Sequence, residues 1–519
     1  MRAVRIRILA TVLVLAGIGV GGWQLLPAKK NTDTKTIAVG TTNAASSLDP
    51  AGAYDDGSWA LFSNTFQSLL TFEAGGVDPV PDAAKSCAFV GAGLHTYRCT
   101  LREGLTFPSG RTMTAEDVKY SFDRVKRINS DVGPAPLLNT LRSVDAAGLT
   151  VTFHLSSPDV TFPYKVATGA GSIVDRTKYA QDKERTDNGA DGTGPYTLTG
   201  YTKDKEAVLA PNRHYQGAVK GTGRPIVLRY YKDPASLEKA WKAKQIDVAT
   251  NQLPPSMLAH LSPSDPTQRV SVTSSAEIRN LVLNTSARSP LHDRRVRQAI
   301  ANLIDREELV SKVYEGTDDP LYSLIPAGIT GHTASFFDAY TKHDTKEARA
   351  LLTAAGVHVP VKFTYGYALR RGAAGEEAAA LKRQLEATGL FTVDTKGYKW
   401  SKFQKVYTSG KLDAFAVGWV ADFPDPDTFI APLVGTGNTL RNGYSNQELD
   451  RLILNSQQYS TRSDADTVFR KMQQIVAQDV PLIPLWQGKE YVLTSTDIGG
   501  GQYLTDGTGV FRLWRLGWI

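Results

Sequence analysis

A carboxylate placed directly behind an apolar segment is the feature of this chain whose position suggests chemistry. Asp422 follows the mostly apolar run 412–420, which predicts a buried strand, so the chain leaves the core where the carboxylate stands. Pro424 and Pro426 stiffen the loop that follows, because each fixes its own φ and biases the preceding residue toward extended backbone. Since the loop has little conformational freedom left to lose on binding, such a carboxylate is preorganised to bind a cation. The alternative is an aspartate that only forms a turn, a common use of this residue type.

The sequence lacks the motifs of the common enzyme classes. Its eight histidines are scattered, without the pair four residues apart that a zinc protease requires. The sequence contains neither the Gly-x-Ser-x-Gly motif of serine hydrolases nor a phosphate-binding loop. A glycine spacing similar to that of dinucleotide-binding proteins occurs only in the apolar amino-terminal segment, where no strand and helix are expected to flank it. Asp422, Asp425 and Asp427 lack the spacing of a calcium-binding loop. We therefore predict a protein that is not an enzyme, with no catalytic residue, cofactor or metal site.

The net charge of +7 is concentrated at the amino terminus. Residues 1–35 carry six basic residues against one acid, a balance of +5, which leaves +2 for the rest of the chain. This is not the basic surface that a polyanion requires, so nucleic acid is not an expected partner.

The amino-terminal segment 1–35 predicts export. Arg2, Arg5 and Arg7 precede an apolar run of 19 residues, 8–26, which is long for a signal peptide and has no clear Ala-x-Ala cleavage site after it. A membrane anchor and a signal cleaved after Gly22 or Ala28 remain open. No cysteine follows the run, which excludes a thioether-linked lipid there. Both alternatives place the body on the outer side of the cytoplasmic membrane, either anchored or as a secreted or periplasmic protein.

The two cysteines, Cys87 and Cys99, flank a glycine-rich turn at 91–93. A hairpin folded at this turn brings the two sulfurs opposite each other, and an exported protein meets an oxidising compartment. We predict a disulfide, with two free buried thiols as the alternative.

The remaining pattern predicts an α/β protein of two or three domains. Strands are expected at 36–41, 226–231, 278–284, 361–365 and 412–420, and a strand pair at 97–107. Helices alternate with them, beginning at Asp293 and at the capping patterns of Thr114 with Asp117, Asp305 with Glu308 and Ser445 with Glu448.

Five groups of residues stand in a characteristic order along the body: 47–50 with 62–70, 101–107 with 114–118, 192–196 with 212–215, 283–285 with Pro290, and 293–300 with 305–306. In these groups the chain resembles the extracellular solute-binding proteins of the dipeptide, oligopeptide and nickel uptake class, which are partners of ATP-driven importers. The resemblance implies a two-lobed fold of the periplasmic-binding-protein type (type II). A first lobe, 36–275, enlarged by an inserted subdomain at about 61–168, would be completed by 476–519, and a second lobe would span 276–475.

The resemblance also implies the ligand-binding residues. Asp422 falls where peptide-binding members place the carboxylate that pairs with the ligand's α-ammonium, and Trp419 and Ala421 would help to form one wall. The loop containing Tyr54, Asp55 and Asp56 would offer backbone groups to an extended ligand, although Tyr54 does not reproduce the acid found nearby in some oligopeptide binders. Asn284 would lie on the strand that enters the second lobe.

The expected function is capture of short peptides by a monomeric receptor that delivers them to an ABC permease in the membrane. Binding of an oligosaccharide or a metal chelate by the same fold is the alternative within the class. A membrane-tethered sensor or scaffold is the alternative outside it.

Overall fold

Nineteen strands and fourteen α-helices alternate in the computed structural model, which describes residues 35–221, 223–262, 264–340, 343–369, 372–505 and 509–519. The leader prediction, including the run 8–26, lies outside the described residues. Within the described ranges, no helix combines the length and the apolar character needed to cross a membrane.

The strands are β1 Ile37–Thr41, β2 Leu70–Phe72, β3 Pro79–Pro81, β4 Ala84–Phe89, β5 Thr96–Leu101, β6 Leu141–Ala147, β7 Thr150–Leu155, β8 Tyr196–Thr202, β9 Glu206–Pro211, β10 Ile226–Tyr230, β11 Val248–Thr250, β12 Gln268–Leu283, β13 Asp319–Pro320, β14 Val361–Ala368, β15 Phe391–Tyr398, β16 Ala414–Val420, β17 Leu482–Ser495, β18 Ile498–Gly499 and β19 Gly517–Trp518. The helices are Asp56–Thr65, Ala115–Ile128, Phe162–Val166, Pro234–Lys242, Pro255–Leu258, Arg294–Ala301, Arg306–Val313, Ser335–Ala339, Thr345–Ala355, Ala374–Glu386, Trp400–Thr408, Asp427–Val434, Gln447–Ser456 and Asp466–Asp479.

The largest sheet runs in the order β15-β14-β16-β12-β17-β11-β1-β10-β9-β8, with β13 paired to β17. Its two long central strands, β12 and β17, are antiparallel to each other and belong to both halves of the sheet. One end of β17 pairs with β11, whereas the opposite end of β12 pairs with β16. The β12–β17 ladder is interrupted between Ser274 and Ile278, so the two halves are joined through an irregular segment.

Two large apolar cores lie on either side of this irregular segment. One is built from residues between Ala276 and Trp486, and the other from residues between Ile37 and Val248 together with the carboxyl-terminal segment from Val492 to Leu516. A four-stranded antiparallel sheet, β4-β5-β7-β6, contributes to the second of these cores. The architecture is the predicted two-lobed α/β fold, while the residue bounds proposed for the lobes stay a prediction.

The local patterns of the sequence specify several helix starts. Asp117 accepts a hydrogen bond from the backbone N–H of Thr114 at 2.9 Å, and Asp305 accepts one from Glu308 at 2.8 Å. The cap predicted at Ser445 is wrong by one residue, because Asn446 accepts from the backbone of Glu448 and Leu449. Asn is as good an N-cap as Ser, and the spacing alone does not decide between neighbours.

The strand pair predicted at 97–107 is a single strand, β5, which ends at Leu101. Gly104 then adopts φ +77°, a left-handed conformation suited to glycine, and the chain turns away. The partners of β5 are β4 and β7.

The predicted disulfide is present. Cys87 on β4 lies directly opposite Cys99 on β5, and their sulfurs are bonded at 2.06 Å. Gly91 takes φ +76° in the turn between these strands. The described residues contain no free cysteine.

Candidate functional site

The carboxylate of Asp422 emerges beside the segment that joins the two halves of the sheet. Strand β16 ends at Val420, whose partner on β12 is Glu277, within the interruption between Ser274 and Ile278. A helix begins again at Asp427, so the carboxylate stands on a short connection between a strand and a helix.

The connection around Asp422 is held by hydrogen bonds to Thr428. The Thr428 hydroxyl accepts from the backbone N–H of Asp422 at 3.1 Å and donates to Asp422 Oδ2 at 3.4 Å. The indole of Trp419 donates to the carbonyl oxygen of Thr428 at 2.7 Å, while Ala421 is buried in the core. Trp419 and Thr428 therefore fix the loop from both ends, which keeps the carboxylate in place.

Tyr54 reaches Asp422 from the other lobe, across 368 positions of sequence. Its hydroxyl donates a short hydrogen bond to Asp422 Oδ1. The Tyr54 side chain is exposed, and its ring centre lies 5.3 Å from that of Trp59. Burial of this hydroxyl, together with the charge of Asp422, raises the pKa of Tyr54 well above its usual range, so it remains a donor at neutral pH.

The electrostatic environment of Asp422 is unfavourable for its own charge. Burial raises the pKa of Asp422 to about 6, and the nearby charge of Asp56 acts in the same direction. The hydrogen bonds from Tyr54 and Thr428, and the charge of the nearby Lys165, whose ammonium pairs with Asp159, oppose this shift only in part. Among the described side chains, no lysine or arginine forms an ion pair with Asp422. A cation supplied from outside would therefore be stabilised here.

Asp55 and Asp56 begin a helix near this carboxylate. Asp55 caps the helix Asp56–Thr65, because its carboxylate accepts from the backbone N–H of Ser58 and from the hydroxyls of Ser46 and Ser58. Asp56 lies exposed in the first turn of that helix, and its effect on the site is the charge felt by Asp422.

Asn284 lies at the other end of the lobe's sheet. It follows β12, whose last residue, Leu283, pairs with the first residue of β16, so Asn284 is separated from Asp422 by the length of β16, about 20 Å. Its amide donates to the carbonyl of Leu412 at 3.0 Å, and its oxygen accepts from Ser286. These bonds give Asn284 a local backbone-fixing role, and the structure does not bring it together with Tyr54 and Asp422.

The three aspartates of the loop have different surroundings. Asp425 is buried and forms a two-pronged ion pair with Arg462, with nitrogen-to-oxygen distances of 2.6 and 2.9 Å. Burial raises the pKa of Asp427 to about 6, an effect that the nearby Lys165 opposes. Lys165 itself pairs with Asp159 at 2.7 Å. The described residues contain no group of three or more metal-ligating side chains.

Phe423, the neighbour of Asp422, inserts into the core of the first lobe. It is buried there, and its ring centre lies 5.9 Å from that of Tyr164. The sequence did not single out Phe423, Thr428 or Lys165. For Thr428, the one available signal was its position in the proline-containing loop that follows Asp422.

Two α/β lobes joined by long strands define the class of two-lobed binding proteins, and Asp422 lies at this junction without an ion-pair partner among the described side chains. The family model of bacterial extracellular solute-binding proteins, family 5 Middle, matches residues 78–440. The chain therefore belongs to the family 5 bacterial extracellular solute-binding proteins. The resemblance noted in the sequence is confirmed.

Relatives whose names mention different ligands match most of the chain. The probable D,D-dipeptide-binding periplasmic protein DdpA of Escherichia coli strain K12 is 26% identical over 481 residues, 89% of this chain and 90% of that protein. Heme-binding protein A of Haemophilus influenzae is 24% identical over 491 residues, 88% of each chain. The structure of DppA from Helicobacter pylori, an ABC transporter-associated periplasmic binding protein in complex with the peptide STSA, superposes with a TM-score of 0.78 at 22% identity, covering 93% of this chain and 98% of that one.

Proposed function

We propose that this protein captures short peptides outside the cytoplasmic membrane and delivers them to an ABC permease. The observation that carries the proposal is the Asp422 carboxylate, which is half-buried between the lobes and accepts hydrogen bonds from Tyr54 and Thr428 without a cationic partner among the described side chains. The α-ammonium of a peptide supplies the missing cation, and a charge-assisted hydrogen bond in a desolvated site fixes the register of the ligand.

The rest of the peptide would be held through its backbone. A peptide offers repeating N–H and C=O groups that strand edges and loops can satisfy whatever the side chains are. In this proposal Trp419 and Ala421 support one wall, and the loop containing Tyr54, Asp55 and Asp56 provides the facing surface. Asn284 would support the sheet of the second lobe from its far end. The names of the DdpA and DppA relatives are consistent with a peptide ligand.

The competing ligand classes do not require a carboxylate at Asp422. Neither a sugar nor heme, the latter suggested by the Haemophilus relative, carries the ammonium group that would neutralise its charge. A tethered sensor with the same fold is favoured only by the apolar run 8–26, if this run anchors the protein in the membrane. Neighbouring permease and ATPase genes would support uptake, whereas their absence would support the sensor.

In this proposal the protein is a monomer and has no catalytic activity; the second point is supported by its family, which consists of solute-binding proteins. Native mass spectrometry of freshly purified protein tests the proposal, with the released ligand identified by fragmentation. We expect peptides of a few residues with free amino termini. A released sugar, heme or chelate would contradict the proposal.

A further inference from the structure

Phe423 forms a contact between the two lobes that the proposed binding of an ammonium group does not explain. Its side chain is 2% exposed and packs in the core of the first lobe. Among the described residues buried in that core, it is the only one that lies within positions 249–491. Ala421 and Phe429, on either side of it, belong to the core of the second lobe. One side chain of a second-lobe segment is therefore buried in the first lobe.

The loop that bears Phe423 is fixed to the second lobe on both sides. Two positions earlier, Ala421 is buried in the core of that lobe. Two positions later, the carboxylate of Asp425 pairs with Arg462 at 2.6 and 2.9 Å. The guanidinium of Arg462 lies 4.9 Å from the ring centre of Phe469, which belongs to the same core. Phe423 should therefore move with the second lobe when the lobes move relative to each other.

The first lobe receives Phe423 with an aromatic side chain that is itself held in place. The ring of Tyr164 is tilted by 42° against that of Phe423, with the ring centres 5.9 Å apart. The hydroxyl of Tyr164 donates to Asp78 Oδ1 at 2.9 Å, and its ring centre lies 6.2 Å from that of Phe72. The contact between Phe423 and Tyr164 therefore joins a fixed loop of one lobe to a fixed ring of the other.

Separation of the lobes has to break this contact. Opening about the irregular segment between Ser274 and Ile278 would withdraw Phe423 from the first lobe and expose its ring to water. Full burial of a phenylalanine side chain shifts an equilibrium by about 10- to 100-fold. We propose that Phe423 is an interlobe latch, a positioning residue that stabilises the closed arrangement and gives the empty protein a substantial closed population.

The latch raises the affinity for different ligands by the same factor. A ligand that requires the closed arrangement binds with an affinity proportional to the closed fraction of the empty protein. Removal of the Phe423 ring lowers this fraction whatever the ligand is, whereas removal of a group that contacts the ligand affects some ligands more than others. The latch depends on the two-lobed fold, and the ligand does not have to be a peptide.

X-ray scattering of the ligand-free full chain tests the latch without any ligand. Phe423→Ala should have a larger radius of gyration than the wild-type protein, because its lobes open more often. Phe429→Leu, at a phenylalanine buried in the second lobe alone, should lower the free energy of unfolding and keep the wild-type radius. If Phe423→Ala does not fold, Phe423→Leu should show the same change at a smaller size. An unchanged radius in the folded Phe423 variant would overturn the inference.

Calorimetry with trialanine and trilysine provides the second arm. Phe423→Ala should weaken the binding of both peptides by the same factor, about fivefold or more. Tyr164→Ala should cause a similar loss, Tyr164→Phe should bind as the wild-type protein does, and combining the two alanine substitutions should add little.

Two outcomes of the calorimetry would overturn the latch. One is a loss that differs clearly between the two peptides, and the other is a double variant in which the two separate losses multiply. If neither peptide binds the wild-type protein, the proposed function fails, whereas the scattering experiment still decides whether Phe423 is a latch.

Discussion

Replacing Asp422 by asparagine should make the empty protein more stable at neutral pH while damaging its function. The reason is that the ionised carboxylate is half-buried without an ion-pair partner among the described side chains, so its pKa rises from the usual 3.8 to about 6. A carboxylate with a raised pKa destabilises the folded state when it is ionised. This destabilisation is absent below about pH 4, grows as the pH rises through 6, and is complete above it.

The expected size follows from the same shift in pKa. The difference between 3.8 and about 6 corresponds to about 3 kcal/mol at pH 7.5, using 1.36 kcal/mol per pH unit. Asparagine carries no charge and keeps an oxygen that can accept from Tyr54, so most of this amount should be recovered. Asp422→Asn should therefore have a free energy of unfolding larger by about 2–3 kcal/mol at pH 7.5 and nearly unchanged at pH 4.

Urea unfolding of ligand-free protein at the two pH values is the appropriate assay, after denaturation and refolding to remove any bound ligand. If the aspartate only forms a turn, its replacement should instead lower the stability at both pH values. That result would refute the electrostatic reasoning.

Three further predictions follow from other parts of the molecule. Saturating ligand should close the lobes about the segment that joins them and decrease the radius of gyration in X-ray scattering; an unchanged radius would contradict closure, unless the empty protein is already shut. Asp425→Asn should lower the free energy of unfolding by about 3–5 kcal/mol because it leaves the buried Arg462 without its carboxylate, whereas Asp466→Asn, at an exposed ion pair, should cost less than about 1 kcal/mol. The mature protein should stay membrane-associated through residues 8–26, and amino-terminal sequencing that finds a soluble form without this run would contradict it.

The parts of the fold that depend on neighbouring residues could be predicted from the sequence. The apolar run before Asp422 is strand β16, the cysteines pair across a hairpin, and the caps at Thr114 and Asp305 use side chains close in sequence. In each case the decisive interaction connects residues that the pattern itself places together.

The contacts that complete the site could not be predicted in this way. The hydrogen bond from Tyr54 to Asp422 and the burial of Phe423 in the other lobe depend on how two distant segments meet. For the same reason the sequence could not separate Asp422, which lacks an ion-pair partner among the described side chains, from Asp425, whose partner Arg462 is 37 positions away. Asn284 shows the same limit, since the sequence places it next to a strand but does not indicate that it lies at the end of the sheet opposite to Asp422.

The most direct test of the central claim is calorimetry of wild-type and Asp422→Asn protein with a short peptide and with the same peptide acetylated at its amino terminus. If Asp422 binds the α-ammonium, the substitution should weaken binding of the free-amine peptide by about 2–5 kcal/mol, at least about 30-fold, and should leave the already weak binding of the acetylated peptide nearly unchanged. An equal loss for both peptides would contradict the claim.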